Sequence, residues 1–181
     1  VGLYEIPISR NNQGTAPSNA NRIEISPTEL RLNSVKVLDL DRGRPVASEV
    51  VEHRITKLRE RVQAAPSRER TSLMVHANVP YVTLVDTLNT LQSANVREVL
   101  FAVRTIGESP REAWMPLTNW RVVPGGDEPV VFEGAAPTWD SFVEQWTTVY
   151  DACRAGNYID CDGAYATTAH GGDRAMELWT R

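Results

Sequence analysis

The residues that could do chemistry are few: three histidines, two cysteines and one acidic turn. His76 ends the apolar run Ser72–His76, where a side chain that titrates near neutral pH could act as a switch; the alternative is an ordinary turn histidine. His53 falls within a predicted helix, off its apolar stripe, and is expected to be partly exposed. His170-Gly171-Gly172-Asp173 has the look of a glycine-rich oxyanion segment, but no Gly-x-Ser-x-Gly elbow accompanies it. Cys153 and Cys161 have seven residues between them. That fits neither a zinc knuckle nor a thioredoxin-like pair, both of which use two. Two readings stay open: a disulfide closing a short loop, or two buried free thiols of a reducing compartment. In Asp160-Cys161-Asp162-Gly163, placing Gly163 sixth in a calcium loop puts Tyr158 first and Ala169 twelfth, so an EF-hand is excluded. Turn formation is the expected role. No phosphate loop, dinucleotide fingerprint or metal-binding helix appears. The reading is therefore of no catalytic residue, no metal and no cofactor, and not of an enzyme.

The elements that position these residues are clearest in Ser72–Arg104, which reads as strand–helix–strand. Asn78-Val79-Pro80 is a turn that opens a helix. Tyr81, Leu84, Val85, Leu88 and Leu91 then recur at three- and four-residue steps and share one face. Asn95 follows the last turn, where a left-handed backbone needs Gly or, next best, Asn. Val96–Val103 is apolar on both sides, as in a strand buried within a sheet. Upstream, residues 22–25 and 30–32 read as a hairpin-like pair around Ser26-Pro27-Thr28, and residues 35–40 as a third strand. Residues 47–65 read as a helix with Val51, Ile55, Leu58 and Val62 on one stripe, closed by Pro66. The predicted order over 22–104 is β-β-β-α-β-α-β, an α/β (α+β) domain with a small mixed sheet. Residues 10–21 are polar and turn-rich and read as a flexible linker.

Net charge is −4, which argues against a dedicated nucleic-acid binder. The basic residues at 54–70 are interleaved with Glu52, Glu60 and Glu69, as on a solvated helix face. No run of about twenty apolar residues is present.

From Val75 onward the chain resembles the periplasmic domain of the ExbD/TolR family, small subunits of proton-driven inner-membrane motors. The resemblance lies in Val75-His76-Ala77-Asn78-Val79-Pro80-Tyr81, the helix through Leu88-Asn89 and Leu91-Gln92-Ser93-Ala94, then Asn95-Val96 and the closing strand, without a gap. His76 stands where the family usually has Asp, and Asn95 where it has Gly. The second change keeps the same backbone angles available; the first removes a carboxylate. The resemblance implies two helices packed on one face of the sheet, and residues 1–21 as a linker after an absent single membrane-spanning helix that carries the proton-linked acid. It further implies an inner-membrane protein with this chain in the periplasm, an ExbB/TolQ-like membrane subunit as partner, a TonB- or TolA-like protein or peptidoglycan as a further one, and a homodimer. An oxidising periplasm would favour the Cys153–Cys161 bridge. Rival readings are a free periplasmic ligand- or peptidoglycan-binding module, and a hydrolase-like enzyme using His170 and Asp173.

Residues 105–181 lie beyond the resemblance and read as an ordered elaboration, since their aromatics need burial. Trp120–Val123 and Val130–Phe132 are candidate edge strands among many Pro and Gly. Thr138 can cap a helix with Asp140 in its first turn and a stripe through Phe142, Val143, Trp146, Val149, Tyr150 and Cys153. Met176–Trp179 reads as a short strand.

Overall fold

The computed structural model describes residues 1–9, 12, 16–66, 70–118, 120–124, 138–144, 165–170 and 175–180. The fold is α+β, with a six-stranded mixed sheet at its centre. Strands β1 (Ala20–Ile25), β2 (Glu29–Leu32) and β3 (Val35–Asp39) form an antiparallel meander. Its first turn is tied by the Ser26 hydroxyl oxygen, which accepts the amides of Thr28 at 3.3 Å and Glu29 at 3.1 Å. Its second turn places Asn33 and Ser34 at φ +50° and +69°, the two-residue geometry whose twist matches the flanking strands.

Helix α1 (Thr56–Ala64) and strand β6 (Arg70–Val75) come next, then α2 (Tyr81–Ser93) and β7 (Glu98–Arg104). Between β3 and α1 lies a small hairpin, β4 (Val50–Val51) and β5 (Arg54–Ile55). Strand β8 (Glu112–Thr118) completes the sheet, whose order is β3-β2-β1-β6-β7-β8. The central pairs β1–β6 and β6–β7 are parallel, and β7–β8 is antiparallel. The predicted order of three strands, helix, strand, helix, strand is present, with β8 added to the same sheet.

The first helix begins later than its apolar spacing suggested. Residues 47–55 hold a 3-10 turn, Ala47–Glu49, and the β4–β5 hairpin in place of a helical start. The β-branched residues Val46, Val50, Val51 and Ile55 favour extended backbone, and polar groups on α2 bind the hairpin's own backbone, as described below. His53 is accordingly a turn residue, not a helical one.

One face of the sheet carries the main core. Ile23, Ile25, Leu73, Val75, Val99 and Phe101 point to Leu58 of α1 and to Tyr81, Leu84, Val85, Leu88 and Leu91 of α2, all buried. A third helix, α3, holds residues 139–144 and sends Trp139, Phe142 and Val143 into the same core. Its start follows expectation: Thr138 Oγ1 accepts the Ser141 amide at 3.2 Å. Trp146, Val149, Tyr150, Val130–Phe132, both cysteines and the Asp160–Gly163 turn lie outside the described residues.

The opposite face is covered by the chain's first residues. Leu3–Glu5 form a 3-10 turn, and Ile6 is buried with Leu100, Ala102 and Trp114. Residues 7–9 lie alongside β7: Arg104 donates to Pro7 O at 2.7 Å and Ser9 donates to Arg104 O at 3.1 Å. Residues 1–9 are thus docked, where residues 1–21 as a whole read as linker, and Ala20 and Asn21 already belong to β1.

Beyond β8, strand β9 (Arg121–Pro124) pairs with β11 (Ala175–Thr180), which pairs with β10 (Tyr165–His170), all antiparallel. Strands over 120–123 and 176–179 were legible in the sequence, whereas β10 and β8 were not. Trp120 is buried and its indole N–H points to Leu88 O at 3.4 Å, fastening this region to α2.

Candidate functional site

The Val79-Pro80-Tyr81 segment is a junction rather than an open pocket. Val79 and Tyr81 are fully buried, and Pro80 sits at the start of α2 with φ −57°, the angle its ring dictates. The carbonyls before it are taken by α3: Val79 O accepts the Trp139 amide at 2.9 Å and Ala77 O the Asp140 amide at 3.1 Å. Ala77 N–H goes to Glu5 O at 2.7 Å, and His76 N–H to Ile25 O at 2.9 Å. One loop therefore gathers the N-terminal turn, β1, α2 and α3. Asn95 stands at φ +63°, in the left-handed position expected of it.

His76 follows β6 directly. Its Nδ1 accepts the Asn78 amide at 3.1 Å, which requires that nitrogen to be unprotonated. The exposed Glu5 carboxyl is held below its usual range, first by the Gly2 N–H that donates to it and to a lesser degree by His76. Protonating His76 on Nδ1 would break the turn's hydrogen bond while strengthening the attraction to Glu5.

A second cluster was not foreseen. Helix α2 turns a row of polar side chains, Thr83, Asp86, Thr87, Asn89 and Thr90, into the protein, and all are buried. Thr87 bonds back along its own helix to Thr83 O at 2.8 Å. The others grip the connection between β3 and α1. Thr83 Oγ1 donates to Gly43 O at 2.6 Å, and Asn89 Nδ2 donates to His53 O at 2.9 Å. Thr90 Oγ1 accepts the Ile55 amide at 2.8 Å.

At the centre His53 Nδ1 lies 2.9 Å from Asp86 Oδ1, with side-chain exposures of 16% and 9%. An ionised carboxylate only accepts, so Nδ1 carries the hydrogen and donates. Burial pushes the Asp86 carboxyl above its ordinary range, against the opposing pull of His53 and, more weakly, of Arg44. Glu52 and His53 sit at φ +50° and +57°, the two-residue turn that closes the β4–β5 hairpin and presents His53 to α2. The signal in the sequence was the spacing of Thr83, Asp86, Thr87 and Thr90, three and four residues apart on one side of the helix, to which the sequence reading gave no role.

The arrangement is a hydrogen-bonded clamp, in which the His53 imidazole meets the Asp86 carboxyl. Among the described residues no group of three or more His, Cys, Asp or Glu is placed to hold a metal. His170 ends β10, while Asp173 lies outside the described residues. No described helix is long and apolar enough to cross a membrane.

The two sheet edges differ. On β8, Thr105 N–H donates to Arg111 O at 2.9 Å, which sets the alternation of the hairpin. By that alternation Ala113, Met115 and Leu117 face β7 with their amides, and Glu112, Trp114 and Pro116 face outward. Pro116 has no amide to offer there. The β3 edge carries exposed Val35 and Lys36, the latter 3.1 Å from Asp39, and a register irregularity lies opposite at Leu30/Arg31. No family model, curated protein or solved structure matches this chain.

Proposed function

We propose that the chain is the periplasmic domain of an ExbD/TolR-like subunit of a proton-driven inner-membrane motor. The observation that carries this reading is the coincidence of element order with motif position. Val79-Pro80-Tyr81 opens the helix that joins two parallel strands, after three antiparallel strands and a first helix, and Asn95 takes the left-handed position that ends it. In this reading a membrane helix upstream of Val1 carries the proton-linked acid inside an ExbB/TolQ-like partner. The folded domain then transmits work by pairing with itself and by engaging a TonB- or TolA-like protein or peptidoglycan. The β3 edge suits that role, because its outer backbone groups can accept a strand. Ile6-Pro7-Ile8-Ser9, tied to β7, would give the domain a fixed point of attachment to such a helix.

The test is the coding sequence upstream of Val1, followed by fractionation of the full-length product. The expected result is a single apolar helix of about twenty residues containing one Asp or Glu, with the protein in the inner membrane and cross-linking to itself. A free periplasmic product with a cleaved leader and no anchor would favour a ligand- or peptidoglycan-binding module and overturn the motor reading.

A further inference from the structure

Gly43 and Ile55 are buried, but every residue from Arg44 to Arg54 between them is exposed or half-buried. This flap is held down mainly by the polar row of α2: Thr83 at one end, Thr90 at the other, and Asn89 and Asp86 in the middle. Apolar packing contributes little, since Val46 and Val51 are 55% and 59% exposed and only Val50 rests against the core. Asp86 is the one charged residue of α2, and the group at hydrogen-bond distance from it is an imidazole, whose charge depends on pH.

We propose that His53 and Asp86 form a proton-operated latch that fixes the flap of residues 44–54 on α2. A protonated imidazole gives the buried carboxylate a counter-charge together with a hydrogen bond, whereas a neutral one gives the hydrogen bond alone. The other charged groups around the pair do not substitute for it. Arg44, on the flap, attracts Asp86 only at longer range, and Glu49 is paired with Lys57 of α1 at 3.0 Å. Glu52 and Arg54 flank His53 on the hairpin and are exposed. Opening would uncover the polar row from Thr83 to Thr90. The latch is independent of the motor reading and stands or falls on its own measurement.

Amide hydrogen exchange read by mass spectrometry between pH 5 and 8, corrected for intrinsic exchange rates, tests it. The expected result is that peptides covering residues 44–55 open about tenfold more often at pH 8 than at pH 5, the scale on which a charge-assisted hydrogen bond exceeds a neutral one. Peptides from β6 and β7 should show no such trend. Asp86→Asn should flatten the response of the flap. His53→Gln, which keeps an amide donor without titrating, provides the same control should Asp86→Asn fail to fold. Opening that is independent of pH in the natural chain, or an undiminished response in the folded variant, would overturn the latch.

Discussion

Tyr81 and Phe142 stack with ring centroids 5.0 Å apart and an interplanar angle of 15°. This contact joins the first residue of α2 to the third helix, and Trp139 extends it, 5.6 Å from Phe142 and 4.5 Å from Phe101 of β7. The region after Arg104 is therefore not appended to a finished domain. It supplies part of the core through Trp120, Trp139, Phe142 and Val143, and a strand of the central sheet through β8.

Phe142→Ala should consequently destabilise the whole domain by about 3–5 kcal/mol, the usual cost of emptying a buried aromatic site. Urea denaturation followed by tryptophan fluorescence would measure it. A loss below about 1 kcal/mol, in the range of ordinary surface substitutions, would mean that α3 is only loosely seated.

Gly43 is constrained twice over. Its φ is +78°, and a Cβ built there would meet Pro80 Cδ at 2.7 Å and Val79 Cα at 3.4 Å. Gly107 has a φ of +136° with nothing within 4 Å of such a Cβ. Gly43→Ala should cost about 1–3 kcal/mol from backbone strain alone, plus a steric part that Gly107→Ala lacks. Thermal melts of the two variants should show the larger drop for Gly43→Ala, and equal drops would remove the steric argument.

Asn95 at φ +63° makes a cleaner backbone test. Asn95→Gly removes the Cβ from the left-handed region and should be neutral or stabilising by up to about 1 kcal/mol, whereas Asn95→Ala keeps the Cβ, loses the polar group that makes Asn tolerable there, and should be destabilising by roughly 0.5–1 kcal/mol. Equal losses in the two would show that the Asn side chain matters and its backbone does not.

The pH response of Asp86 has a definite sign. Its folded-state carboxyl titrates above the ordinary value of 3.8, chiefly because it is buried. An acid whose folded pKa is raised favours folding most when protonated. Its contribution is greatest below 3.8 and declines as pH rises through the folded-state value. The stability difference between the natural chain and Asp86→Asn should therefore shrink as pH increases across the acidic range. Parallel urea titrations would check this, and a difference that grows with pH would refute it.

Much of this fold could be read from periodicity. The α2 stripe, the left-handed Asn95, the Thr138 cap and the strand order over 22–104 all come from local spacing and turn chemistry. What escaped the sequence has physical causes. Pro116 disguised β8, because proline argues against a strand unless the strand lies at an edge with that position facing outward. Valines at helical spacing disguised the β4–β5 hairpin, which is bound by side chains of a helix 33 to 37 positions away. The His53–Asp86 contact joins residues 33 positions apart, and no local pattern announces such a pairing. Trp139, fully buried, lies one turn before Phe142, where the stripe assigned to its helix begins.

The outward-facing Pro116 also bears on assembly. A sheet with two receptive edges can add neighbours indefinitely, whereas one whose last strand lacks a donor at its midpoint is a poor template on that side. Any pairing through β3 would join two copies back to back and leave a β8 strand at each end of the combined sheet. Growth would halt at two, so an exposed β3 edge need not seed a fibre.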